Sequence, residues 1–145
     1  MSVMKKCFSL SFFLFFVSTG YAQSIPSNAP MESLLASLDA GRYIKPSDPR
    51  VNRYRVLLQQ LGKTYFENVR QICDLTIDIR EELKRKRINQ KLLPILEGMN
   101  TLFGKKKGFK YARYSAAYLA VRARSQSNNA AFSQLRAHIK TLTYP

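Results

Sequence analysis

The sequence predicts an all-α fold, on three observations. From residue 31 onward, apolar residues recur in steps of three and four, the spacing that lines one face of a helix. No stretch alternates apolar with polar residues as a half-buried strand does. No internal repeat divides the 145-residue chain, a length that suits one domain. The expected architecture is a compact bundle of about five helices built on one long helix, about 49–86, after a cleaved signal peptide.

The N-terminal segment reads as that signal peptide. Lys5 and Lys6 precede an apolar run over residues 8–17, and Thr19-Gly20-Tyr21-Ala22 sets small residues at −3 and −1 of a cut after Ala22. A run of 10 residues falls short of the roughly 20 that span a bilayer. The expected division is 1–22 signal peptide, 23–30 flexible lead-in and 31–145 a single helical domain. Export places the protein in the periplasm, with secretion as the second expectation. Without the leader, 22 basic residues face 9 acidic ones, a net charge of +13 over 123 residues. No later stretch is apolar enough for a transmembrane segment.

Each element has a local reason. Met31, Leu34, Leu35 and Leu38 keep helical spacing, and Gly41 suits the stop that follows. Asp48 can cap a helix whose first position is Pro49. From there Tyr54, Leu58, Leu61, Tyr65, Val69, Ile72, Thr76, Ile79 and Leu83 form an unbroken stripe, read as one long helix with a possible kink at Gly62. Leu92, Ile95, Leu96, Met99 and Phe103 predict a shorter helix, with Pro94 tolerated near its first turn. Two glycines bound the basic loop Gly104–Gly108, which is expected to be free to adapt. Residues 109–125 predict a helix with two faces: Tyr111, Tyr114, Tyr118 and Val121 on one, Ala112, Ala116, Ala120 and Ala123 on the other. The alanine face should permit close helix packing. After a polar turn, Phe132, Leu135, Ile139 and Leu142 predict the last helix. Leu58, Leu61, Ile72, Ile79, Leu96, Phe132, Leu135 and Ile139 are the expected core.

Little in the chain suits catalysis. One His and two Cys leave almost no material for a zinc site or a His-based centre. Asp74, Asp78 and Glu82 share a helical face, but ion pairs of Arg70 with Asp74, Glu81 with Arg85 and Glu82 with Lys86 account for that cluster. Cys73 sits beside Asp74, which opposes a lowered thiol pKa, and reads as a small buried hydrophobe. His138 reads as a residue at the core boundary. Neither a cofactor nor a metal is expected.

Charge is the feature that points to a partner. After Glu97 the chain has no acidic residue, while nine Lys and Arg follow it. The candidate anion-binding residues are Lys105, Lys106, Lys107, Lys110, Arg113, Arg122 and Arg124. Tyr111, Tyr114 and Tyr118 could add an aromatic contact face, although a tyrosine stripe at helical spacing is more often core. The expected function is that of an exported, non-enzymatic helical binding protein. Its basic C-terminal half would dock on an anionic envelope component or an acidic protein, with nucleic acid a poorer target for an exported chain. An antagonist or immunity-type protein that occludes a toxin or enzyme fits the same size and export. A hydrolase or lyase using the carboxylates ranks third.

Overall fold

A computed structural model describes residues 24–143. The expected signal peptide and its cut after Ala22 lie outside the described residues. Among them the chain forms six helices and no strand: α1 (Met31–Ala40), α2 (Pro49–Thr64), α3 (Val69–Arg85), α4 (Leu92–Thr101), α5 (Tyr111–Arg122) and α6 (Asn128–Thr143). The main packing pairs are α1 on α2, α2 on α4, α3 on α5 and α5 on α6. Helices packed this way bury their apolar stripes in one shared cluster, which runs from Leu35 to Leu135. Of the expected core, Leu58, Leu61, Ile72, Ile79, Leu96, Phe132 and Leu135 are buried in it, and Ile139 packs half-buried against it.

Several local expectations hold. Gly41 ends α1 in the left-handed region at φ 66°. The Asp48 carboxylate accepts from the Arg50 N–H at 2.9 Å, with Pro49 in the first helical position. Pro94 falls in the first turn of α4, where a missing N–H breaks no intrahelical bond.

The single long helix does not form. The chain leaves helical geometry at Tyr65 (φ −106°, ψ 157°) and re-enters it at Val69, so α2 and α3 are separate helices. Two interactions outweigh the continuous stripe. Tyr65 pairs with Phe109 in a parallel bridge, while its ring is buried and its hydroxyl donates to the Met99 carbonyl at 2.8 Å. Asn68 then starts α3 with a reciprocal capping box: its side chain accepts from the Gln71 N–H, and the Gln71 side chain accepts from the Asn68 N–H. Gly62 is not a kink. It leaves space beside the Val69 side chain, where a Cβ would meet Val69 Cγ2 at 3.3 Å.

The alanine face of α5 differs from expectation, while its tyrosines take the core position that a stripe at helical spacing favours. Ala112, Ala116 and Ala120 are exposed and Ala123 is half-buried, so the alanine face packs against no helix closely. Tyr111 and Tyr118 turn inward instead, because rings bury far more apolar surface than methyl groups. Thr76 donates to the Ile72 carbonyl at 2.6 Å, so its single proton is used and the Tyr111 hydroxyl donates to Thr76 Oγ1 at 2.7 Å. The Tyr118 hydroxyl donates to Asn128 Oδ1 at 2.7 Å. Satisfied hydroxyls let both tyrosines be fully buried.

Helices α4 and α5 are preceded by Lys91 and Lys110, which supply no side-chain cap. Their free N–H groups are capped from elsewhere in the chain. Asp39 accepts from the Leu92 and Leu93 N–H groups at 2.7 and 2.9 Å, and from the Tyr54 hydroxyl at 2.7 Å. Glu67 accepts from the Tyr111 and Ala112 N–H groups at 2.8 and 3.0 Å. Each carboxylate therefore sits on the positive end of a helix dipole and fixes where that helix begins.

Candidate functional site

Six of the nine acids, Glu32, Asp39, Asp48, Glu81, Glu82 and Glu97, pair with cations of the first part of the chain. Every ion pair among the described residues uses Arg50, Arg53, Arg55, Arg80, Lys84 or Arg85. The pairs on α3 differ from those expected. Glu81 meets Arg80 and Lys84, and Glu82 meets Arg85, at neighbouring or i,i+3 spacing. Lys86 is the C-cap of α3 and no longer follows the helical register. Asp74 and Asp78 are exposed on α3. Among the described residues no group of three His, Cys, Asp or Glu side chains could hold a metal ion.

Cys73 lies at 0% exposure among core residues. Burial, with Asp74 and Glu32 adding repulsion, pushes its thiol up to about 12, so it stays neutral and poorly nucleophilic at ordinary pH. His138 is exposed on α6 rather than at the core boundary.

The basic candidates separate into three groups. Arg122 leaves the set: it is buried, and its guanidinium donates to Gln90 Oε1 at 3.1 Å and to the Ser125 carbonyl at 2.9 Å. A guanidinium with five fixed donors suits this role of tying the end of α5 to the segment before α4. Arg124 is exposed and donates back to the Ala120 carbonyl at 3.2 Å. Arg113 is exposed with its guanidinium 6.0 Å from the Tyr114 ring. Tyr114 itself is half-buried, edge-on to Phe103 at 4.6 Å, which places all three candidate tyrosines wholly or partly in the core.

Lys105 and Lys107 form the third group, and the fold adds Lys63 to them. All three line a recess of about 370 Å³ together with Gln60, Thr64, Asn100 and Gly104, and no acidic side chain lines it. Lys63, Lys105 and Lys107 are exposed and pair with no carboxylate among the described residues. A hydrogen bond from Asn100 Nδ2 to Gln60 Oε1, 2.8 Å long, joins two of the lining residues. Lys106 and Lys110 lie on the same loop, exposed and outside the recess.

The loop is tied down more than its glycines suggested. Gly104 and Gly108 take φ of 60° and 88°, a region glycine enters without strain. The Thr64 carbonyl at the end of α2 accepts from the Gly108 N–H at 2.9 Å, and the Phe66 N–H donates to the Phe109 carbonyl at 2.9 Å. Inside the loop the Lys106 N–H donates to the Phe103 carbonyl at 3.1 Å. These bonds set the lysines beside Lys63 and keep them there.

Sequence reasoning missed Lys63, Gln60 and Asn100, because nothing local relates them to a loop some forty residues away. It also passed over Phe66, which is 73% exposed in the break between α2 and α3. The only sequence signal was that Phe66 lies one residue off the apolar stripe.

Such a site can hold anionic groups by charge and by N–H donors. No carboxylate among its lining residues stands beside the lysines to form an acid–base pair. No helix among the described residues is long and apolar enough to cross a membrane. Compared with known proteins, the chain matches no family model, no curated protein and no solved structure.

Proposed function

We propose that this is a small exported helical binding protein, without enzymatic activity, whose basic C-terminal half docks on an anionic partner. The observation that carries the reading is the recess lined by Lys63, Lys105 and Lys107, with no carboxylate on its walls. Three ammonium groups held close together repel one another, and an anion relieves that repulsion. Lys106, Lys110 and Arg113 extend the positive surface beyond the recess. Export, read from the Lys5–Ala22 segment, limits the partner to acidic components of the envelope or its surroundings.

The test is capture of partners from an envelope extract on the immobilised chain, eluted with a salt gradient. Partners held by this surface should elute between low and physiological salt, where screening is steepest. They should be lost from a variant carrying Lys63→Gln, Lys105→Gln and Lys107→Gln. Retention of the same partners by that variant at low salt would sink the reading.

A further inference from the structure

The most exposed large apolar side chain among the described residues lies beside the most basic loop. Phe66 is 73% exposed, against 43% for Val56 and 37% for Val69. The Phe66 backbone is not loose, since the N–H is bonded to the Phe109 carbonyl and Tyr65 before it is buried. The ring rests over Gly108, where a Cβ would sit 3.6 Å from Phe66 Cζ. Gly108 directly follows Lys105–Lys107, and Lys63 and Arg70 flank Phe66 in sequence on α2 and α3.

The charge around that ring is one-sided. The nearest acid in sequence, Glu67, has both carboxylate oxygens on the α5 N–H groups. Those bonds, with Lys110 nearby, hold its carboxyl below the ordinary range despite partial burial, so it stays ionised as a cap. Lys105, Lys106 and Lys107 are exposed and form no ion pair among the described residues. An exposed aromatic side chain against Gly108, at the end of a lysine-rich loop, matches an anionic bilayer surface: headgroup phosphates would meet the lysines, and the ring would reach the acyl boundary. An acidic protein is the other class of partner that could meet the same lysines, and the test below separates it from a bilayer.

Resting on the docking function proposed above, we infer that the anionic partner is a phospholipid surface, and that Phe66 inserts into it while Lys105, Lys106 and Lys107 hold the headgroups. The protein is then a peripheral membrane protein that binds through the α2–α3 break and the 104–108 loop.

The chain beginning at Gln23 contains the entire hydrophobic core and serves for the test. It is sedimented with vesicles of phosphatidylglycerol and phosphatidylcholine in equal parts, and with pure phosphatidylcholine. Binding is expected to the first and not to the second. Changing Lys105, Lys106 and Lys107 to Gln should weaken it by roughly a hundredfold, at about fivefold per lysine. Phe66→Ser should weaken it by about tenfold. The chain contains no Trp, so Phe66→Trp introduces a single fluorophore of that kind. Its emission should shift to the blue on anionic vesicles and be quenched by brominated acyl chains. Vesicle binding without that shift would overturn insertion by Phe66. Binding to soluble polyglutamate but not to the vesicles would overturn the lipid assignment and leave the docking function standing. Failure to bind either would overturn both.

Discussion

Up to Glu97, Arg50, Arg53, Arg55, Arg80, Lys84 and Arg85 each lie against a carboxylate, while among the described residues Arg42, Lys45, Lys63, Arg70, Lys86, Arg87 and Lys91 do not. Beyond it, Lys105, Lys106, Lys107, Lys110 and Arg113 meet none among the described residues, although both regions share one core. The second region still depends on the first for its geometry. Asp39 caps α4 and Glu67 caps α5, so the acids that the C-terminal part lacks are borrowed across the fold. The difference teaches that charge pairing and structural support are separable. The acid-free region is held by apolar packing and two remote caps, which leaves its lysines available for something else.

If packing holds the acid-free part, the largest loss should come from its core. Leu135→Ala empties a site that is 3% exposed in the shared cluster, and should cost about 2–5 kcal/mol in urea unfolding. A cost below about 1 kcal/mol would mean that α6 contributes little to the bundle.

The remote caps come next. Asp39→Ala strands the Leu92 and Leu93 N–H groups and the Tyr54 hydroxyl together, for an expected loss of about 3 kcal/mol. Glu67→Gln keeps the shape and one acceptor oxygen at α5, so about 1 kcal/mol is expected from the same measurement. The Glu67 carboxyl is held below its ordinary value in the folded chain, so its stabilisation is present above the unfolded value. That contribution is lost as pH falls through the folded value. The Glu67→Gln variant should therefore show a shallower fall in stability on acidification than the native chain. Equal slopes would mean that the cap does not depend on its charge.

The smallest effect on stability is expected from the lysines. Replacing Lys105, Lys106 and Lys107 by Gln should move the unfolding free energy by less than about 0.5 kcal/mol, because none of them pairs with an acid. It should raise stability slightly at low salt, where their mutual repulsion is least screened. A marked loss would make the loop a structural tie, and would dissolve the contrast between the two regions.

Much of the fold was legible locally. Gly41, Asp48-Pro49 and Pro94 each act within one turn of where they stand, so backbone preference alone placed the corresponding helix ends. The break at 65–68 was legible too, in Asn68 and Gln71, but the continuous stripe concealed it. Hydrophobic spacing counts faces and does not register an interruption that preserves phase. The exposure of the alanine face of α5 was less legible than the burial of Tyr111 and Tyr118. Both faces of that helix keep helical spacing, and only the space left by α3 and α6 decides between rings and methyl groups.

For the candidate site, the unequal distribution of acids was written in the sequence, and it singled out seven basic residues, of which Lys105 and Lys107 line the recess. The sequence by itself therefore determined the helical class, most of the core and the region of unpaired positive charge, since these follow from residue type and short-range spacing. Tertiary structure alone decided that Lys63 joins those lysines, that Arg122 is withdrawn into the core and that Phe66 projects beside the loop. The reason is physical. A side chain's exposure and its partners across some forty residues depend on how the helices pack, and that packing minimises the buried area lost by the whole chain rather than by any one segment.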